Sequence, residues 1–372
     1  MSNTRARTVM LFMCGDVMTG RGIDQILTHP SHPRLHEPYV LDAREYLESA
    51  ERRHGPIPRP ADWSYIWGDA LQELDRVKPD ARIVNLETSI TGSEDYWRSK
   101  DVHYRMHPEN VGCLTAARPD VCVLANNHVL DFGRAGLLET LETLTNAGLK
   151  SAGGGRTLDE AQRPALIELD AARLIVIGFG TESSGVPRDW AAGDNQPGIA
   201  LLADLSEKTA LAVHWRMQGL KRPGDIVVAS IHWGANWGYE VPAAHVTFAH
   251  MLVDGGVDIV HGHSSHHARP IEVYKNRLIL YGCGDFIDDY EGIAGHEEYR
   301  DGLVLMYFAT VESTTGALVG LDMTPMQIRK FRLNRAEPAD VRWLSDTLHR
   351  ISAPFRSCIS LIDQGQLTWA AA

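Results

Sequence analysis

Short apolar runs alternate with amphipathic stretches along most of this chain, the pattern of strand and helix taken in turn. The runs predict strands at Thr8–Cys14, Ala81–Leu86, Val121–Ala125, Leu174–Phe179, Asp225–Ile231 and Asp258–His261, then at Arg277–Tyr281, Leu303–Ala309 and Ala317–Thr324. The period-3.6 stretches predict helices at Tyr65–Val77, Gly133–Ala147, Leu205–Gln218, Val241–Asp254 and Asp340–Ile351, with Gly148 and Gly255 at C-cap positions. Because residues 270–325 lean towards antiparallel strands, the expected class is α/β with mixed sheets flanked by helices, not a purely doubly wound sheet. One domain is expected over residues 1–330, and a C-terminal helical extension over 331–372 is expected to pack on it. Residues 29–62 carry six prolines around a short helical stretch. They read as a surface insertion, either a lid over a site or a solvated excursion.

Composition narrows the function classes. The formal charge of −12 over 372 residues argues against a general nucleic-acid binder, which would show a basic face. The five cysteines are scattered and form no CxxC pair, as expected of reduced thiols. The apolar run Val9–Met13 is too short for a signal core, and no stretch reaches 18 apolar residues. The expectation is a cytoplasmic chain without direct membrane insertion.

Chemistry gathers where the strands end. The first strand runs into Cys14-Gly15-Asp16, the second into Asn85-Leu86-Glu87 and the third into Asn126-Asn127-His128. Two later strands run into His232-Trp233-Gly234 and His261-Gly262-His263-Ser264-Ser265-His266-His267. Side chains at the carboxyl ends of neighbouring strands converge in one crevice, so distant residues can share a site. Each position alone has a plain reading, as a turn, a cap or a loop histidine. Five in a row favour a metal site. A nitrogen and oxygen donor set without thiolate suits Mn, Fe or Zn better than Mg. Trp233, Trp237 and Tyr239 read as an apolar wall or as packing.

Taken in order, GDVMTGR, NLETSI, LANNHVLDFGRAGLLETL, IHWG, GHSSHHARPIEVY and YGCGDF resemble the CapA-type branch of the calcineurin-like metallophosphatases, named for poly-γ-glutamate capsule synthesis. The resemblance spans roughly residues 8–310. It implies a four-layer sandwich of the calcineurin-like metallophosphoesterase kind and two divalent metal ions. Carried over by position, it implies that Asp16 and His266 hold one ion and that Asn127, His232 and His263 hold the other. Glu87 would bridge the two, His128 would act as an acid beside them, and Asp131 would orient His128. Met18 stands where the wider superfamily has a histidine, which removes one ligand from the first ion. His261 and His267 are extra to the pattern. Arg105 matches a family arginine, expected either to grip a phosphate or carboxylate or to make an ordinary ion pair.

The function implied is a metallohydrolase that activates water against a phosphoester or a γ-glutamyl amide, with a small anionic substrate or γ-glutamyl peptide as its partner. Relatives in capsule assembly are usually tethered or exported. The expected cytoplasmic location favours a relative acting on a smaller molecule. A second expectation is a non-catalytic assembly protein for an anionic polyglutamate-like polymer. A third is metal-dependent amide formation or transfer, although no GxxxxGK[ST] loop is present for activation by ATP.

Overall fold

Both faces of the central strands are buried, and this decides the layering. In Thr8–Val17, Val9, Leu11 and Met13 point one way while Phe12 and Cys14 point the other, and all five are buried. In Arg173–Gly180, Leu174 and Val176 alternate in the same way with Ile175, Ile177 and Phe179. Runs apolar on both faces need cover on both, so the strands lie in two sheets packed together with helices outside each. The computed structural model describes residues 8–362 and 365–371.

The first sheet runs in the order Ser357–Ile362, Gln366–Ala371, Leu318–Ile328, Leu303–Glu312, Thr8–Val17, Ala81–Leu86, Val121–Val123, Lys150–Ala152. It is parallel from Thr8–Val17 onward and antiparallel before it. The second runs Ile271–Tyr274, Arg277–Leu280, Ile259–His263, Ile226–His232, Arg173–Gly180, Ala165–Glu168, with its middle four strands parallel. Val9, Leu11, Ile83 and Val121 meet Val176, Val228, Ile259 and Leu278 between the sheets. Helices Arg44–His54, Asp69–Val77 and Gly133–Asn146 cover the outside of the first sheet, and Glu207–Gln218 and Ala243–Asp254 cover the second. This is the four-layer arrangement that the resemblance implies.

Several expectations need correction. The helix expected over Tyr65–Val77 is a short 3-10 turn, Tyr65–Trp67, and a separate helix, Asp69–Val77. Gly68 breaks it at φ +45°, and a Cβ there would lie 2.1 Å from the Leu333 carbonyl oxygen. Among the described residues after 330, only Pro338–Ser352 is α-helical. Helix Pro338–Ser352 closes the end of the inter-sheet core with Val341, Leu344, Leu348 and Ile351, and the hairpin after it extends the first sheet. Within 29–62, helix Arg44–His54 buries Tyr46, Leu47 and Ala50 and is part of the outer layer, so the segment is not simply a solvated excursion. The first strand runs on to Val17, which places Asp16 inside it.

Two buried histidines away from the carboxylates tie stability to pH. His245 stacks on Trp233 with ring centroids 4.8 Å apart, and His261 lies fully inside the sandwich. Burial holds each at about 4, against about 6.5 for an unfolded histidine. Between those values each ring binds a proton in the unfolded chain that it refuses in the folded one, so the contribution of these two histidines to stability falls as pH drops from about 6.5 to about 4. In thermal melts across that range the melting temperature of His245→Leu relative to wild type should climb as pH drops, a less acid-sensitive slope. An equal slope in that variant would clear His245 of the effect.

Candidate metal centre

Parallel strands bring the charged residues together because their carboxyl ends stop at one level. Asp16 pairs in register with Asn85, and His232 with His263. The two sheets come close enough here for His261, on the second, to place Nε2 2.8 Å from the carbonyl oxygen of Cys14 on the first. The short strand Asp285–Ile287 lies parallel to the end of Thr8–Val17, with Asp285 beside Asp16. Glycine permits that approach. A Cβ on Gly15 would lie 1.6 Å from the Gly284 carbonyl oxygen, and Asp16 N–H donates to that same oxygen at 3.0 Å.

The hydrogen bonds fix the ring tautomers in sequence. The Cys14 carbonyl only accepts, so His261 carries its proton on Nε2 and leaves Nδ1 bare. The Ser230 hydroxyl donates to that Nδ1 at 3.0 Å, and its oxygen then accepts from His263 Nε2 at 2.9 Å. His263 therefore turns a bare Nδ1 towards His232 Nδ1, 2.8 Å away, and towards an Asp16 carboxylate oxygen, 3.8 Å away. With its proton on Nε2 against Asn127 Oδ1 at 3.1 Å, His232 leaves its Nδ1 bare as well, whereas with the proton on Nδ1 it donates to His263. In the first tautomer two lone pairs face each other across 2.8 Å beside a carboxylate and repel unless a cation lies between them. Burial keeps both rings neutral by pushing their pKa values well below the usual range.

Amides join this group to a second one. Asn85 Nδ2 donates to Asp16 at 2.7 Å and to Glu87 at 3.1 Å, and Asn85 Oδ1 accepts from Asn126. Asn126 Oδ1 accepts from the backbone N–H groups of His128 and Val129. A Glu87 oxygen lies 3.8 Å from both His128 Nε2 and His232 Nε2. His128 donates from Nδ1 to Asp131 at 2.6 Å, and the Lys100 ammonium donates to the other Asp131 oxygen. Burial raises Asp131 to about 6 against the pull of Lys100. Burial and then Asp285 raise Asp16 to about 7, and burial and then Asp16 raise Glu87. Like charges this deeply buried call for a counter-charge, and the donor set fits a divalent ion.

The expected residues fall into three places. Asp16, His232 and His263 share one point, with their donor atoms within 4.8 Å of one another. Glu87, Asn127, His128 and Asp131 line the adjoining side. His266 stands a step away, with Nδ1 2.9 Å from Asp285 and Nε2 2.9 Å from the Asn236 amide. Asp16 thus groups with the histidines expected of the other ion. Arg105 is not in the cluster, because its guanidinium donates to Glu94 and the Ser93 carbonyl and lies over Phe132. This geometry is that of the ion-pair reading. Trp233 is packing, buried against His245 and Tyr281. Sequence reasoning missed Asp285, Lys100 and Ser230. Asp285 lies in the YGCGDF motif that carries part of the resemblance, and no local pattern marks the other two.

The family model for "Bacterial capsule synthesis protein PGA_cap" matches residues 10–290. The chain belongs to that family. A Mycobacterium tuberculosis protein named "Probable polyglutamine synthesis accessory protein" is 49% identical over 349 residues, covering 93% of this chain and 92% of its own. The PGA biosynthesis protein CapA of Bacillus subtilis is 29% identical over 330 residues, 88% of this chain and 72% of its own. The crystal structure of TT1561 from Thermus thermophilus covers 84% of this chain and 97% of its own at 9% identity, with a TM-score of 0.36, too distant to build on. Among the described residues of this PGA_cap family member, no helix is long and apolar enough to cross a membrane.

The Gly15–Gly284 approach gives a direct test of the frame. Gly15→Ala should lower stability by about 3 kcal/mol or more, because overpacking here meets backbone and no side chain can swing aside. Urea unfolding reads this, and an unchanged midpoint would show that the two strands lie farther apart.

Proposed function

We propose that this chain is a metal-dependent hydrolase of the PGA_cap family, acting on a phosphoester or a γ-glutamyl amide of a small anionic substrate. The observation that carries the reading is the convergence of the two Nδ1 atoms of His232 and His263 beside the Asp16 carboxylate. Asp16, His232 and His263 would hold one divalent ion, and Glu87 and Asn127 would take part in holding a second, Mn, Fe or Zn by donor type. Such ions lower the pKa of water and polarise substrate oxygens.

The chain's own residues supply positioning and proton transfer. His128 keeps its proton on Nδ1 against Asp131, so its bare Nε2 is the atom at which a proton is taken up and returned. Lys100 holds Asp131 from the other side and so fixes the ring's direction. The Tyr104 ring packs on His128 with centroids 4.1 Å apart, and Tyr104 N–H donates to Asp131 at 2.7 Å. Action on a soluble molecule in the cytoplasm is part of the proposal, as is the absence of a nucleic-acid substrate.

A second reading has support of its own, since the Mycobacterium tuberculosis relative is named an accessory protein of synthesis. Under it the chain handles an anionic polymer without turnover. The two readings part in one experiment. Purified chain should carry close to two metal ions by elemental analysis. With Mn²⁺ it should hydrolyse an activated phosphodiester or a γ-glutamyl anilide. His232→Ala and His263→Ala should lose metal. His128→Ala should keep it while turnover falls roughly 10²–10⁴-fold, the usual range for a general acid or base. Full metal with no turnover of either substrate favours the accessory reading, and unchanged metal in the two ligand variants sinks the site.

A further inference from the structure

The YGCGDF segment brings a further buried carboxylate to the metal centre. Asp285 is almost fully buried and lies in register beside Asp16. Among the described hydrogen bonds, its side chain accepts only from His266 Nδ1, at 2.9 Å and 3.0 Å to its two oxygens. When Asp285 is ionised it accepts from the neutral imidazole, so the contact puts the His266 proton on Nδ1, in keeping with the Asn236 amide nitrogen that meets Nε2. Nε2 is left as the one ring atom with a lone pair. The group it meets at 2.9 Å is the amide of Asn236, which lies at the surface in the loop after His232.

Two further contacts hold the ring. Tyr290 meets His266 edge-on, with centroids 5.3 Å apart and planes at 83°, and the Trp237 ring lies 5.2 Å away. The strand position of Asp285 is fixed as well, because Gly284 at φ +83° turns the chain into it and Asp16 N–H binds the Gly284 carbonyl. Asp285 is thus held by backbone while His266 sits on a loop. The strand-borne partner sets the direction of the loop-borne one.

We infer that Asp285 is the positioning residue of a carboxylate–histidine–metal relay, fixing His266 as an Nε2 ligand to a divalent cation. The inference rests on the metal-centre reading above. Such outer carboxylates fix the tautomer and raise the basicity of the ligand, and removing one commonly weakens metal binding about 10–100-fold. Asp285 acts through His266 and does not itself touch the cation.

Calorimetric titration of Mn²⁺ into the metal-free full chain tests this, with the visible spectrum of the Co²⁺-loaded protein as a second readout. Asp285→Ala should weaken the weaker of two binding events about 10–100-fold and shift the Co²⁺ bands. Asp285→Asn keeps an oxygen to accept from Nδ1 and should restore most of both. In a His266→Ala background, Asp285→Ala should add little, because its effect passes through the ring. If Asp285→Ala is too unstable to isolate, Asp285→Asn against wild type and the His266→Ala pair decides. Asparagine as damaging as alanine, or a full added loss in the His266→Ala background, overturns the relay. So does unchanged affinity in Asp285→Ala. A wild-type chain that binds no Mn²⁺ or Co²⁺ fails the metal-centre reading itself, and the relay with it.

Discussion

The hydrogen bond from His261 Nε2 to the Cys14 carbonyl joins the two sheets at the level where their parallel strands stop. It is worth about 1 kcal/mol in net stability, like any neutral hydrogen bond. Its larger consequence is directional. Because a carbonyl cannot donate, the tautomer of His261 is fixed, then the hydroxyl of Ser230, then the tautomer of His263. A lone pair is thereby aimed at the strand that carries Asp16. The extra histidine of the HGHSSHH run is therefore built into the frame, and its burial inside the sandwich is what makes the aim rigid. Replacing the Ser230 hydroxyl by hydrogen would leave His261 Nδ1 and His263 Nε2 each without a partner, a heavier loss in a dry interior than at a surface.

Charge sets the second constraint. Asp16, Glu87 and Asp285 are buried within reach of one another; after burial itself, the charge of Asp285 raises the proton affinity of Asp16, and those of Asp16 and Asp285 raise that of Glu87. The imidazoles among them are neutral, and the nearest ammonium, Lys100, is committed to Asp131. A cluster of this composition is poorly stable by itself, since apolar groups of the same volume would pack there at lower free energy. Its presence makes sense if a cation completes it. The same reasoning explains why Gly15 precedes Asp16: only backbone without Cβ lets the two strands bring their carboxylates this close.

Much of this is legible in the sequence, and the limits have physical causes. Strands buried on both faces are continuous apolar runs, so Thr8–Val17, Ala81–Leu86 and Ile226–His232 announce themselves, and the residues just beyond them mark the site. The C-terminal hairpin does not, because Ser357–Ile362 is an edge strand with exposed Ser360 and Leu361 and carries no clean run. Gly68 splits a helix whose apolar period continues through it, since the reason is a neighbour's carbonyl 2.1 Å from where a Cβ would stand. Lys100 lies in a loop without a pattern, and its role follows only from where the fold places Asp131. The division of ligands between two positions is also beyond sequence. Motif order says which residues converge, whereas whether Asp16 or His266 lies nearer His263 depends on the fine packing of strand ends.

The family's names describe synthesis and accessory roles, and the residues of the centre bear on how far such names reach. An ion held for structure alone is satisfied once its ligands close around it. Here His128, Asp131 and Lys100 form a second buried ionisable chain beside the ligands, with Nε2 of His128 turned towards Glu87. Burying three such groups lowers stability unless their pairing is complete, and hydrophobic residues would serve a purely structural purpose better. Their arrangement suits proton movement at one defined atom, a requirement of turnover that polymer binding does not share. That asymmetry is the reason to place hydrolysis ahead of passive assembly for this member of the family.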